Sequence, residues 1–255
     1  MSITIKHNIR PKFPIARMTC DDGLDARLNM YSLTSLMNSH ECTVLCGAPK
    51  SGKTSLLWGF FKHPKLLKKV FHNIYIFQPT VSGESMKDNI FSCLPDEQRY
   101  DKLTFEGLNE VYEKINASEK YEENCIIFDD MAAYLKQKQT KTLFDDIVFN
   151  RRHLRTNIFF LTQGWKKIPL DLRKVFSNIF LFKVAKKELY TIWEEAIEEN
   201  IDLAPKISKL VFDKKHNFLF VNVESKRMFK NWDEIIVSHP DDDDEIEDQQ
   251  TAQEV

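Results

Sequence analysis

The chain has 255 residues, long enough for one large domain with a full core plus appendages. Its 42% hydrophobic and 29% charged content is that of an ordinary folded protein. No apolar run approaches the roughly 20 residues of a membrane-spanning helix, and the first ten residues lack the apolar centre of a signal peptide. A membrane span and export are therefore not expected. The five cysteines (Cys20, Cys42, Cys46, Cys93, Cys125) make an odd count without a Cys-x-x-Cys pair. That usage fits a reducing compartment and indicates neither zinc nor disulfides. The net charge of −2 conceals an asymmetry: from Asp241 onward there are eight acids and no Lys or Arg, which leaves a body of 36 basic and 30 acidic residues, +6. A basic body with an acidic tail suits a nucleic-acid partner, or simply a solvated surface.

Residues 1–40 read as an N-terminal layer, broken by Pro11 and Pro14, with one helix over 24–38. The apolar run Thr43-Val44-Leu45-Cys46 then leads into Gly47-Ala48-Pro49-Lys50-Ser51-Gly52-Lys53-Thr54, followed by Ser55 and an apolar helix. Strand, glycine-bounded loop and helix is the setting a phosphate-binding P-loop needs. Gly47 and Gly52 permit backbone angles that let successive N–H groups converge on one oxyanion, and the helix adds the positive end of its dipole. Lys53 would reach the β- and γ-phosphates, and the Thr54 hydroxyl would ligate Mg²⁺. The competing reading is an ordinary glycine turn. The expected ligands are ATP and Mg²⁺.

A second strand follows at 73–77, a helix with Leu108, Val111, Tyr112 and Ile115 on one face at 105–116, and a third strand at 125–128. A helix over 140–150 precedes a fourth strand at 157–162, and the fifth is 178–182. The stretch 186–200 is the cleanest amphipathic helix, with Leu189, Ile192, Trp193, Ala196 and Ile197 as a core stripe. Residues 210–212 and 218–223 read as a terminal hairpin. Alternation of strands and helices predicts an α/β fold with a mostly parallel central sheet flanked by helices. The expected organisation is an N-terminal layer (1–40), a P-loop ATPase domain (41–237) and a disordered acidic tail (238–255).

Three further groups carry chemistry. The third strand ends in Asp129-Asp130, the Walker B arrangement. Asp129 would hold the Mg²⁺ shell opposite Thr54, and Asp130 would accept a proton from the attacking water or orient it. The alternative is that the pair caps the next helix. The fourth strand ends in Gln163, which would touch γ-phosphate and water if that strand lies between the first and third. Otherwise it is a surface amide. Arg151, Arg152 and Arg155 precede the fourth strand. They read as an arginine acting on a neighbour's γ-phosphate, as a phosphate-contacting DNA patch, or as a helix end favoured by the dipole. No Asn-Lys-x-Asp base signature of a GTPase is present.

The P-loop, the strand ending Phe128-Asp129-Asp130-Met131, Arg152-His153, the strand running into Thr162-Gln163, and Ile168-Pro169-Leu170-Asp171-Leu172-Arg173 come in one order. Over residues 41–184 this resembles the genome-packaging ATPases of large double-stranded DNA viruses, the poxvirus-type branch of the FtsK–HerA superfamily. The resemblance implies a RecA-like P-loop NTPase, a homo-oligomeric ring, and ATP-driven translocation of double-stranded DNA into a preformed capsid. A capsid or portal component becomes a possible partner, and the virion or the host cytoplasm the expected location. It carries over Lys53, Thr54, Asp129, Asp130 and Gln163 as the ATPase site, with Arg152 acting from a neighbouring subunit. Many superfamily members have Glu where this chain has Asp130. Lys166, Lys167, Arg173 and Lys174 are the candidate DNA contacts. A nucleoside or nucleotide kinase, and a virion component that binds nucleotide without hydrolysing it, are the rival expectations.

Overall fold

A computed structural model describes residues 2–6, 37–64, 66–80 and 89–238. The acidic tail and nearly all of the expected 24–38 helix lie outside the described residues. Among the described residues ten strands form a single sheet: β1 (Ser2–Lys6), β2 (Cys42–Cys46), β3 (Asn73–Phe77), β4 (Arg99–Tyr100), β5 (Asn124–Asp129), β6 (Thr156–Thr162), β7 (Asn178–Phe182), β8 (Phe218–Asn222), β9 (Arg227–Lys230) and β10 (Asp233–Ser238). The α-helices are α1 (Lys53–Lys62), α2 (Phe105–Ala117), α3 (Lys138–Asn150), the single turn α4 (Leu170–Arg173), α5 (Lys186–Ile192) and α6 (Leu203–Val211).

The sheet order is β1-β10-β9-β8-β7-β2-β6-β5-β3-β4. From β7 to β4 all neighbours are parallel, and β8, β9, β10 and β1 extend the sheet antiparallel. β6 lies between β2 and β5, the position that the reading of Gln163 required.

The central strands are buried on both faces, which is why they read as unbroken apolar runs rather than alternating ones. Alternate residues serve opposite layers. Ile126, Phe128, Ile158 and Phe160 face one core with α2, α3, α5 and α6. Cys125, Ile127, Phe159 and Leu161 face the other with α1. At the amino ends of the strands polar groups satisfy one another: Asn73 Nδ2 donates to Asn124 Oδ1 at 3.0 Å, and Asn178 Nδ2 donates to the buried Glu41 carboxylate. The carboxyl ends, where ligands bind in such sheets, hold the predicted site.

Two expectations change. A C-terminal hairpin is present, but it joins β8 to β9, and residues 210–211 end α6 instead of pairing with β8. Buried Leu203, Ala204, Ile207 and Val211 recur at helical spacing, and the short run 210–212 taken alone hides that period. The turn into β9 is held by Asn222 Oδ1, which accepts from Ser225 N at 2.9 Å. The helix expected over 186–200 is α5 continued by a π-helical turn, Trp193–Ile197. Its stripe Leu189, Ile192, Trp193 and Ile197 is core, as expected.

Candidate active site

The P-loop is folded against β7. A Cβ on Gly47 would meet Phe182 Cβ at 2.6 Å, so only glycine fits there. Gly52 sits at φ 113°, where side chains are strained, and flanks the start of α1. Lys50 is also left-handed, at φ 61°. Ser51 N donates to Ala48 O at 3.2 Å, and Gly47 N to Thr162 O of β6 at 3.2 Å. Ala48, Pro49 and Lys50 are exposed, whereas Thr54 and Ser55 are half-buried on the first turn of α1. Lys53 is buried, and its Nζ donates to Gly47 O at 2.7 Å and Ala48 O at 3.0 Å. Burial pushes the Lys53 ammonium below the usual lysine range, opposed by the charges of Asp130 and Asp129.

Those two carboxylates arrive on β5, two strands from β2. Asp129 is 7% exposed and accepts from Gln78 Nε2 at 2.7 Å. Burial raises its pKa, and the Gln78 hydrogen bond works against that rise. Asp130 adopts φ 56°, a left-handed angle that Asp tolerates better than most residues. Its N–H donates to Leu161 O at 3.0 Å, and its Oδ2 accepts from Gln163 Nε2 at 2.5 Å. Neither aspartate caps the 3-10 helix that follows, whose flanking residue is Met131. Gln163 spends its amide on Asp130 rather than on the surface. Lys53, Asp129, Asp130 and Gln163 are thus brought together at the carboxyl ends of neighbouring strands.

The residues fit a nucleotide's phosphate chain. The glycine cradle is in place, Lys53 is aimed along it, and the buried Ser51 Oγ has no hydrogen-bond partner. Among the described residues no cluster of three His, Cys, Asp or Glu side chains forms a metal site. Mg²⁺ accepts one or two protein groups plus phosphate oxygens, and Thr54 and Asp129 are suited to be those groups.

The arginines lie elsewhere. They precede β6, whose seven residues span roughly 23 Å, so they sit at the end of the sheet opposite the P-loop. Arg155 is tied by its guanidinium to Glu122 O at 3.2 Å and Glu119 O at 3.1 Å, and Arg151 Nη1 donates to Val148 O at 3.0 Å. Arg152 is exposed, out of reach of its own chain's P-loop. Of the basic residues considered for DNA, Lys166, Lys167 and Lys174 are exposed. Arg173 is not available: Nη1 donates to both oxygens of Glu195 at 3.0 Å, and Nε to Ile168 O at 2.9 Å. Arg173 braces the turn that carries Lys166 and Lys167.

Sequence reasoning missed Gln78, although it ends an apolar strand just as Gln163 does. It also missed His216, whose Nδ1 lies 2.9 Å from Ser51 O. Nothing local in the sequence marks that contact across 165 residues. No described helix is long and apolar enough to cross a membrane.

The model of the poxvirus A32 protein family matches residues 29–254. No curated protein matches the chain. Among solved structures, the genome packaging NTPase B204 from Sulfolobus turreted icosahedral virus 2 in complex with ATPγS is 23% identical, with TM-score 0.60, covering 76% of this chain and 97% of that one. Its complex with AMP gives 25% identity and TM-score 0.59 over the same shares. B204, the DNA-packaging ATPase from Sulfolobus turreted icosahedral virus, is 20% identical with TM-score 0.57, again covering 76% and 97%. The fold is therefore that of P-loop packaging ATPases, and the family match spans most of the sequence: this chain belongs to the poxvirus A32 protein family.

Proposed function

We propose that the chain is an ATPase that drives packaging of viral double-stranded DNA, working with Mg²⁺ at sites completed by a neighbouring subunit of a ring. The carrying observation is the convergence of Lys53, Asp129, Asp130 and Gln163 at the carboxyl ends of three adjacent strands. Lys53 would exchange its two loop carbonyls for β- and γ-phosphate oxygens. Thr54 and Asp129 would hold the metal, which when bound neutralises charge on the phosphate chain. Asp130 would take the proton of the attacking water at a carboxylate oxygen. Gln163, bonded to Asp130, would feel whether the γ-phosphate is present and lies one residue from the Gly164–Lys167 turn. Lys166, Lys167 and Lys174 would then meet DNA phosphates, contacts that carry no sequence preference. Arg152 would enter the site of the adjoining subunit, where its planar charge stabilises phosphoryl transfer.

The test is ATP turnover by the full chain with linear duplex DNA over a salt series. Stimulation by DNA that weakens steeply with salt is expected. Turnover indifferent to DNA at low salt overturns the packaging role, and ATP binding without turnover supports a purely structural use of nucleotide.

A further inference from the structure

His216 stands in the connection between α6 and β8, far from the P-loop in sequence, yet its ring touches that loop. Nδ1 lies 2.9 Å from the Ser51 carbonyl oxygen, and a Cβ on Gly52 would lie 3.4 Å from Nδ1. A carbonyl only accepts, so Nδ1 carries the hydrogen and donates it. The connection holding the ring is itself fixed. Asn217 Nδ2 donates to Asp213 Oδ1 at 2.8 Å, and Lys230 pairs with the same oxygen at 2.9 Å. Asn231 Nδ2 donates to Asn217 Oδ1 at 3.2 Å, while Asn231 Oδ1 accepts from Phe218 N at 3.1 Å. His216 reaches its place at φ 70°.

The Ser51–Gly52 peptide is a rigid trans plane, in which the carbonyl and the N–H point in opposite directions. Its far side is Gly52, left-handed at φ 113°, and glycine leaves that plane free to flip. Holding the Ser51 carbonyl towards His216 fixes the Gly52 N–H on the opposite side of the plane. Among the described residues no backbone carbonyl takes that N–H.

We infer that His216 is a positioning residue of the phosphate cradle: by donating to the Ser51 carbonyl it aims the Gly52 N–H at the phosphates of a nucleoside triphosphate. This rests on the site binding ATP, as proposed above. His216 touches the loop and none of the hydrolytic groups, so its loss weakens binding of the triphosphate and leaves those groups in place.

The experiment compares three variants of the full chain. His216→Asn puts an amide N–H where Nδ1 was and tolerates the left-handed backbone. His216→Gly keeps the backbone angle and removes the donor. His216→Asp keeps the turn without the donor, should the glycine variant lower Tm. Each is measured by the Kd of a fluorescent ATP analogue and by KM and kcat for ATP. The expected result is a rise of about tenfold in Kd and KM for the glycine and aspartate variants, the order a lost hydrogen bond produces. The asparagine variant should stay within about twofold of wild type, and the loss should fall on KM rather than kcat. A folded His216→Gly chain that binds ATP like wild type overturns the inference, as does an asparagine variant no better than glycine. A wild-type chain that binds no ATP analogue overturns the reading of the site itself.

Discussion

Asp129 is useful and costly at once. A carboxylate 7% exposed is poorly solvated, and the hydrogen bond from Gln78 only partly offsets that. Its raised pKa means that the folded state favours the protonated form. The stability associated with that proton is complete below the pKa of an unfolded aspartate and is lost as pH rises through the higher folded value. At neutral pH the ionised group therefore destabilises the protein, and Asp129→Asn, which can still accept from Gln78, should raise Tm. The shift should be about 2–4 °C, what roughly 1 kcal/mol produces in a chain of this size. The gain should vanish in acid, and ATP turnover should disappear at every pH. Thermal melts at pH 7 and pH 4 measure the first two, and a phosphate-release assay the third. An unchanged or lower Tm at pH 7 would mean that the carboxylate has more support than burial indicates.

The turn after β6 follows Gln163 directly and is braced from a neighbouring helix. Trp165 is fully buried, and both its donors go to one stretch of helix: N to Glu188 Oε1 at 2.5 Å, and Nε1 to Glu195 Oε2 at 2.7 Å. Glu195 sits on the π-helical turn and is also clasped by Arg173. Arg173→Ala should cost about 2 kcal/mol, as for hydrogen bonds to a charged, partly buried group, read as a lower denaturation midpoint at unchanged m. A midpoint equal to wild type would show that the clasp contributes nothing. How far this was legible follows from the same elements. β3 and β7 are found at the expected bounds because each is a four-residue apolar run opened by an asparagine, as interior strands of a covered sheet tend to be. The P-loop and Asp129-Asp130 were legible because their residues are contiguous. The Gln78, His216 and Arg173 contacts were not, since each depends on a neighbour supplied by folding. The end of α6 was misread because three apolar residues in a row fit a strand as well as a helix.

At the scale of the molecule, Arg152 is separated from its own P-loop by the length of β6, so any part it takes in phosphoryl transfer belongs to another copy. Arg152→Ala and Asp129→Asn should each abolish turnover, and mixing the two inactive proteins should restore part of it. In the mixture an intact pocket on the arginine variant can receive Arg152 from the aspartate variant. A mixture as inactive as its components would place the role of Arg152 elsewhere. The outermost pair of the sheet has a different consequence. Ser2 lies opposite Ser238 across β1 and β10, so the head and foot of the described sheet adjoin on one rim. A short peptide bridge between them would add little loop-closure entropy. A circular permutant opened at the exposed turn 119–121 would then encode the same ten strands. ATP turnover by that permutant would show that backbone connectivity and site geometry are separable, and loss of turnover that they are not.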